Sequence, residues 1–282
     1  ISVDELSRLQ AYLVTYTVIA LVLSFLVLPL LVSAVTPFSY KDLVAIPKDT
    51  LIMIFATAKI IVLMPQLVEN VKALFRRYDL EDEHVDSGAE VLMPLAYPFP
   101  NLGTYVILMF IPFSAWDVGW SFDFLVANVL QRASLLSSFV APIIGIPFLL
   151  DLMRVPADMM ELFMMSTVYT DRIRVVLGAV HLLSLTIVVL AIRRGVFRWN
   201  IAALLKAVAI SALAIAISLL GVRAYLSQAM DGAQNGGESL VQMRWMDKTV
   251  DVEVYKDSLP SADKLVGTED RIATIMQRGT LR

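Results

Sequence analysis

Long apolar stretches alternate with short polar segments along the whole chain. The apolar stretches run over residues 8–35, 43–75, 91–116, 121–150, 156–192 and 199–226. Several of them reach the roughly 20 residues that a helix needs to cross the hydrocarbon core of a bilayer. Hydrophobic residues make up 58% of the chain and the mean hydropathy is +0.72. We therefore predict an all-α polytopic membrane protein.

Charged or helix-breaking residues interrupt three of these stretches. Lys59 and Pro65 interrupt the stretch 43–75. Pro98, Pro100 and Gly103 interrupt 91–116, and Pro142, Gly145 and Pro147 interrupt 121–150. Irregular backbone at membrane depth persists only where protein or water satisfies its polar groups, and paired breaks in two halves often mark a transporter binding site. The pattern predicts re-entrant hairpins over 41–76 and 121–155 and an unwound helix over 91–118. A short span with an interfacial helix, and helices kinked by proline, are the structural alternatives.

The stretch 156–192 contains ionisable residues inside a predicted span. Arg174, Gly178 and His181 are spaced by four and three residues, so they share one face of a helix. An ionisable group at the membrane centre costs about 2.5 kcal/mol or more, so it usually faces a partner or an aqueous cavity. This face predicts a polar pathway through the protein. Alternatively, Asp171 and Arg174 form a structural ion pair and His181 is a packing residue.

Charge distribution orients the chain. "RRGVFR", residues 193–198, is the densest positive cluster between predicted spans and favours the cytoplasmic side. The charged segment 76–90 is predicted as a solvated loop on the same side. An additional helix near 200–226 then leads to the tail 227–282, which is polar, has an alternating "VDVEVY" strand pattern and is predicted to be periplasmic. The expected location is the inner membrane, as a multi-pass protein.

Two further features limit the class of partner. The net charge of −3 argues against a nucleic-acid partner, and the absence of cysteine excludes disulfides and thiolate metal sites. No nucleophile with a neighbouring base and no metal-binding constellation is visible, so we expect no enzyme activity, no metal and no cofactor. Because the first residue is Ile, we expect the chain to be part of a longer protein.

Four motifs resemble the cation:dicarboxylate (glutamate transporter-like) symporters. The segment 36–71, "TPFSYKDLVAIPKDTLIMIFATAKIIVLMPQLVENV", resembles the first re-entrant hairpin of that family, with Pro65 at the hairpin proline. "MPLAYPFPNLGT", residues 93–104, is similar to the family's unwound helix. "SSFVAPIIGIP", residues 137–147, resembles the second hairpin tip, and "TDRI", residues 170–173, resembles the start of the final helix. The resemblance covers roughly residues 1–192 in order.

The resemblance implies a transport domain over residues 1–192. Its expected parts are a helix over 8–35, the first hairpin over 41–76, an unwound helix over 91–118, the second hairpin over 121–155 and a final helix over 156–192. In the family this domain slides like an elevator against a trimeric scaffold, so a homotrimer is implied for the oligomeric state. The implied function is secondary active transport, by symport, of a small organic anion or amino acid.

The tail resembles a different family. "LPSADKLVGTEDRIATIMQRGTLR", residues 259–282, is similar to the lead-in of a family 3 extracellular solute-binding protein. The implied organisation after residue 192 is a cytoplasmic loop with an extra transmembrane helix over 193–226, followed by a periplasmic linker and the start of a solute-binding domain over 227–282. A small-molecule solute and the lipid bilayer are the expected partners.

Seven residues are the candidates for contact with a solute. They are Lys59, Pro100, Asn101, Gly103, Thr104, Arg174 and His181. Pro100 and Leu102 stand at the positions of the asparagine and the aspartate of the family's unwound-helix motif, so a sodium ligand is missing and protons become the alternative coupling ion. These departures also favour a second function, a membrane receptor or scaffold without transport that holds the solute-binding domain.

The charge pattern makes a topology prediction. In the cysteine-free chain, a cysteine at Ser239 should react in intact cells with a thiol reagent that cannot cross the membrane, whereas a cysteine at Ser87 should not. The measurement is the fraction of each variant labelled before and after the cells are permeabilised. Equal labelling of both variants, or labelling of Ser87→Cys alone, would contradict the predicted orientation.

Overall fold

All regular structure in the described part of the chain is helical. A computed structural model describes residues 3–119, 124–156 and 158–230. Three helices there are long enough and apolar enough to cross a membrane, over Leu9–Val35, Met159–Arg193 and Ile201–Ala229. The prediction of an all-α chain with membrane-spanning helices is therefore confirmed for these ranges. The predicted solute-binding segment, with its alternating "VDVEVY" pattern, lies outside the described residues.

Twelve α-helices follow one another along these ranges. They are α1 (Val3–Val22), α2 (Leu28–Val35), α3 (Tyr40–Ala45), α4 (Lys48–Thr57), α5 (Met64–Arg77), α6 (Glu83–Ala96), α7 (Leu102–Ile107), α8 (Phe110–Asp117), α9 (Phe124–Ser137), α10 (Pro142–Leu152), α11 (Met159–Arg193) and α12 (Ile201–Met230). A π-helical turn, Leu23–Val27, joins α1 to α2, and a 3-10 turn, Ile61–Leu63, precedes α5. The first long helix thus begins at Val3, where the sequence pattern predicted residue 8.

The segment predicted as the first hairpin forms two arms, α4 and α5. The first arm ends where Ala58 adopts a left-handed conformation with φ 54°. Pro65 lies in the first turn of α5, where a helix tolerates proline because that N–H would have no partner. The Asn70 Nδ2 atom donates a hydrogen bond of 2.8 Å to Thr50 Oγ1 and so links the two arms. Residues 58–63 form the turn between them.

The helices are also interrupted close to the other two predicted breaks, but Gly103 lies inside α7 and Gly145 and Pro147 lie inside α10. Residues 97–101 separate α6 from α7, and Pro98 and Pro100 lie within this break. The second predicted hairpin has its arms in α9 and α10, with residues 138–141 between them. A Cβ atom at Gly145 would lie 3.1 Å from the Ser137 carbonyl oxygen, so the glycine lets the arms approach closely beside this turn.

The charged segment 76–90 is not the solvated loop that the sequence predicted. Arg76 and Arg77 end α5, and α6 begins at Glu83. Asp82 caps α6, because its Oδ1 atom accepts a hydrogen bond of 2.8 Å from the Val85 N–H. The carboxylates of Glu83 and Asp86 lie in the first turn, where the positive end of the helix dipole stabilises negative charge. The charges in this segment therefore stabilise a helix start.

Helix α11 is the central element of the fold. It packs against α1, α2, α4, α6 and α7 and buries residues on several faces. Helix α12, the predicted extra span, runs antiparallel along α1 and α2 and continues past residue 226 to Met230. Just before α12, the Arg198 N–H donates a hydrogen bond of 2.8 Å to the Val35 carbonyl at the end of α2. Near the other end of α12, Gln10 Nε2 of α1 donates a hydrogen bond of 2.8 Å to Tyr225 Oη.

Ion pairs gather several chain segments at one end of the molecule. We call residues 36–42, 77–82 and 193–198 the arginine-rich end. Arg194 Nη1 lies 3.1 Å from Asp82 Oδ2, and Arg77 Nε lies 3.1 Å from Asp42 Oδ1. The segments that the charge pattern assigned to the cytoplasm therefore meet at the same end of the structure. Their assignment to the cytoplasmic side stays a prediction.

Asp42 is the most extensively bonded carboxylate of this end. Its Oδ2 atom accepts hydrogen bonds from the Tyr78 hydroxyl at 2.7 Å and the Ser39 hydroxyl at 2.8 Å. The Tyr78 oxygen also accepts a hydrogen bond of 2.7 Å from the Ser39 N–H. The bond from Tyr78, then that from Ser39, lowers the pKa of Asp42 below its ordinary value of 3.8, with Arg77 adding to the effect. Tyr78 thus ties the start of α3 to the end of α5.

Replacing Tyr78 by Phe should remove these bonds while keeping the aromatic ring. We expect Tyr78→Phe to lower the free energy of unfolding by about 1.5–3 kcal/mol at neutral pH, the scale of a hydrogen bond to a charged group. A lowered folded-state pKa contributes stability above the ordinary value of 3.8, and this contribution disappears as the pH falls through the folded-state value. The loss should therefore shrink in acid.

Thermal unfolding of the detergent-solubilised chain as a function of pH measures this loss. Tyr97→Phe is the matched control, because no described group bonds the Tyr97 hydroxyl and no difference from wild type is expected. A Tyr78→Phe difference that stays constant into acid pH would show that the hydroxyl does not act through Asp42.

Candidate functional site

The turn between α4 and α5, in the segment predicted as the first hairpin, and the break after α6 meet on one glycine of α11. A Cβ atom at Gly178 would lie 3.0 Å from Asn101 Oδ1 and 3.2 Å from Ile60 Cδ1. These distances are at the limit of normal carbon contacts, so any side chain at residue 178 would displace one of these neighbours. We call this meeting point, formed by Ile60, Asn101, Gly103, Arg174 and Gly178, the junction.

A second glycine brings α7 against the backbone of α11. A Cβ atom at Gly103 would lie 2.2 Å from the Arg174 carbonyl oxygen, a distance that no side chain can adopt without moving the backbone. Gly103 is buried, and so is Thr104 beside it. Two of the predicted site residues, Gly103 and Arg174, are therefore in contact through their main chains.

Asn101 begins α7 and faces the junction. Its Oδ1 atom accepts a hydrogen bond of 3.2 Å from the Thr104 N–H, which makes it the N-cap of the helix. No described group bonds the amide Nδ2 atom, so this donor can serve a solute. The predicted role of Thr104 is partly explained by this cap, because its N–H is the donor to Asn101.

A cavity of about 270 Å³ lies beside the junction, between α6 and α11. Asn101 and His181 provide its polar side chains and Pro100 also lines it, so the structure brings three of the predicted site residues together. Its apolar lining consists of Leu92, Leu95, Ala96, Phe99, Leu182 and Leu185. The His181 Nδ1 atom is buried and has no hydrogen-bond partner among the described residues. An unsatisfied buried polar atom costs about 1–3 kcal/mol, so a water or a solute that bonds this nitrogen would be stabilised.

The guanidinium of Arg174 has a partner within its own helix. Its Nε atom lies 2.7 Å from Asp171 Oδ1, one turn earlier. This i,i+3 pair is the structural alternative that the sequence left open for Arg174. The main chain of Arg174 belongs to the junction, while its charge is largely compensated by Asp171.

Lys59 lies at the turn of the first hairpin with its side chain exposed. Its N–H is 3.4 Å from Thr57 Oγ1, and its ammonium group forms no ion pair with a described residue. The following residue, Ile60, is the one that contacts Gly178. The structure therefore places Lys59 near the junction without directing its charge into the cavity.

Arg172 holds two elements of this region together and was not among the residues predicted from the sequence. Its Nη1 atom donates hydrogen bonds of 3.2 Å to the Phe55 carbonyl and 2.9 Å to the Ala56 carbonyl. The last carbonyls of a helix have no partner within the helix, and a cation there is favoured by the helix dipole. Arg172 thus binds the end of α4 to α11. The run "DRIR" at the edge of a span was the available signal, because three charges there require partners.

No protein-family model, curated protein or solved structure gives a match to this chain. The family resemblance therefore rests on the four motifs and on the order in which they occur.

The two glycines should differ in their tolerance of alanine. Gly103→Ala should lower the free energy of unfolding by about 2 kcal/mol or more, since the new methyl group overlaps a main-chain atom of Arg174. Gly178→Ala should cost less, because its neighbours are side-chain atoms that can move. Thermal unfolding in detergent gives both values.

Gly221 of α12 provides the control, because nothing lies within 4 Å of a Cβ atom built there. Gly221→Ala should be neutral or stabilising by up to about 1 kcal/mol, since alanine is the better helix former. If Gly103→Ala behaves like Gly221→Ala, the close approach of α7 to α11 does not exist.

Proposed function

We propose that this chain is the moving part of a secondary active transporter for a small organic anion or amino acid in the inner membrane. The observation that carries the proposal is the junction, where a hairpin turn and a broken helix meet beside a cavity on one membrane-length helix. Interrupted helices that meet near the middle of a membrane protein are the usual construction of a transporter binding site. The four motifs that resemble the cation:dicarboxylate symporters also support this proposal.

The depth of the junction supports transport. Gly178 and His181 belong to the uncharged segment 175–192 of α11. Gly178 lies roughly 22 Å from Arg193 along the axis, at about 1.5 Å per residue. If Arg193 marks one membrane interface, both residues lie within a hydrocarbon core that is about 30 Å thick. A cavity with polar atoms at that depth is costly unless a solute or water uses it.

The cavity suits a small polar solute. Its volume of about 270 Å³ is just below the roughly 300 Å³ at which pockets for drug-sized ligands begin. The Asn101 amide and His181 can donate hydrogen bonds to a carboxylate, while the apolar lining accepts a short carbon chain. Lys59 and Arg174 are the proposed cations for the solute, which would require the hairpin turn to move Lys59 inward and Arg174 to leave Asp171.

The remaining parts of the proposal come from the resemblance. The segment after residue 230 would begin a periplasmic solute-binding domain that delivers the solute, and the membrane part would assemble as a homotrimer. Sodium coupling is not favoured because Leu102 stands at an aspartate position of the motif and has no charge to offer a cation. Proton coupling is the proposed alternative.

A receptor or scaffold without transport is the second candidate. The observation in its favour is that Ile60 and Asn101 fill the junction against Gly178, and that Asp171 compensates Arg174. Both features stabilise a static arrangement. In this case the membrane part would anchor the solute-binding domain and transmit its state.

Uptake by proteoliposomes that contain the full-length protein tests the proposal. Labelled amino acids and dicarboxylates are offered at fixed membrane potential, with sodium or choline outside and with or without a pH gradient. We expect uptake that follows the pH gradient and does not need sodium. Lys59→Ala should reduce it by about tenfold, the effect of losing roughly 1.4 kcal/mol of solute binding, and Lys59→Arg should retain most of it.

Lys48→Ala is the matched control, because Lys48 is an exposed lysine at the opposite end of α4. Its uptake should equal that of the wild type. Sodium-dependent uptake that survives Lys59→Ala would contradict both the coupling and the role of Lys59. If the folded protein takes up no solute under any condition, the proposal of a receptor or scaffold replaces that of a transporter.

A further inference from the structure

A second cavity lies between α6 and α11, at the arginine-rich end. Its volume is about 240 Å³. Its lining consists of Asp82, His84 and Val85 from the start of α6 and Leu190, Arg193 and Arg194 from the end of α11. The cavity lies at the end of the apolar segment 175–192. Lipid headgroups surround a membrane-spanning helix at this level, where its apolar segment ends.

The charges that line this cavity leave one arginine uncompensated. Arg194 is paired with Asp82 at 3.1 Å. Arg193 is exposed and forms no ion pair with any described residue. His84 is exposed and can donate a hydrogen bond. The surplus of about one positive charge matches a single phosphodiester, which carries one negative charge, and arginine binds the oxygens of such a group with two parallel N–H groups.

An apolar strip leads away from the cavity along α11. Leu185, Val189 and Ile192 are spaced by four and three residues, so they share one face of the helix, and all three are exposed. A Cβ atom at Gly88 would lie 2.7 Å from Leu190 Cδ2, so the glycine lets α6 approach α11 closely below this strip. Such a strip next to a cation is complementary to a molecule with one charged end and a long apolar tail.

Aromatic residues shortly after α11 support an interfacial position for the end of this helix. Trp199 is 89% exposed, and its ring meets that of Phe197 edge to face, with the ring centroids 5.1 Å apart. Tryptophan is enriched where the hydrocarbon core meets the headgroup layer. The end of α11, where Arg193 lines the cavity, is therefore expected at the level of the headgroups.

We propose that this cavity binds the headgroup phosphate of an anionic phospholipid. Arg193 bonds the phosphate oxygens, His84 donates a further hydrogen bond, and an acyl chain lies along Leu185, Val189 and Ile192. A phospholipid is favoured over a free phosphate because a single surplus charge at an exposed site binds a small anion weakly, whereas the strip adds apolar contact along the chain. Leu185 also lines the cavity beside the junction, whereas Arg193 and His84 do not, so the headgroup contacts can be tested separately from transport.

Native mass spectrometry of the full chain in detergent tests the proposal. The probes are phosphatidylglycerol with long and with six-carbon chains, phosphatidylcholine of the same chain length, and inorganic phosphate. We expect long-chain phosphatidylglycerol to bind to one site and phosphatidylcholine to bind at least fivefold more weakly. Arg193→Gln should weaken phosphatidylglycerol binding about fivefold, the scale of one arginine at a membrane surface, while Arg193→Lys should retain most of it.

Arg198→Gln is the control, because Arg198 is an exposed arginine of the same end that does not line the cavity. It should bind phosphatidylglycerol like the wild type, and an unchanged unfolding temperature establishes that each variant is folded. Equal losses in Arg193→Gln and Arg198→Gln would overturn the site, since general charge attraction would then explain binding. If phosphatidylcholine binds as tightly as phosphatidylglycerol, the proposed preference for an anionic headgroup is wrong. If six-carbon phosphatidylglycerol binds as tightly as the long-chain lipid, the proposed contact of the acyl chain with the apolar strip is wrong. Displacement of the lipid by millimolar inorganic phosphate would show that a free anion is the ligand and would also overturn the proposal.

Discussion

The close approach of α7 to the main chain of α11 is the constraint on which the rest of this structure depends. Gly103 lies against the Arg174 carbonyl at a distance that excludes any side chain. Because α7 is only six residues long, its position is set by this contact and by the Asn101 cap at its start. The break before α7 is thereby held next to Gly178 and to the turn of the first hairpin.

The same helix collects the other interrupted elements. Arg172 binds the carbonyls that α4 leaves free at its end, and Gly178 receives Ile60 from the hairpin turn. A membrane offers no water to the free ends of broken helices, so they must find partners inside the protein. Arg172 of α11 bonds the carbonyls at the end of α4, and the Asn101 side chain accepts the Thr104 N–H at the start of α7. The glycine contacts bring both of these helix ends close to α11, beside the cavity that His181 lines.

The two ends of the groove between α6 and α11 differ in chemistry. At the junction the cavity has an amide and a half-buried imidazole, whose Nδ1 atom is buried, within an apolar lining, which suits a small polar solute. At the arginine-rich end the cavity has two arginines and one compensating aspartate, which suits an anion at the membrane surface. The proposed solute site and the proposed headgroup site therefore use different polar residues of one helix pair, Asn101 and His181 in the first and His84 and Arg193 in the second.

Residue types alone were enough to locate the long apolar helices and to predict interruptions near residues 58–63, 97–101 and 138–141. Prolines 98 and 100 remove N–H donors and restrict the preceding residues, so the break at 97–101 is local chemistry that can be read from the sequence. Tertiary packing decided which interruptions meet, because that depends on how closely α4, α7 and α11 approach one another. The charges show the difference. Asp82 caps a helix in the segment 76–90, which the charge pattern predicted as a loop, and Arg174 pairs with Asp171. Lys59 is exposed, while the neighbouring Ile60 contacts Gly178. A charged side chain is long enough to reach several partners, so its partner is determined by the folded backbone and not by its position in the chain.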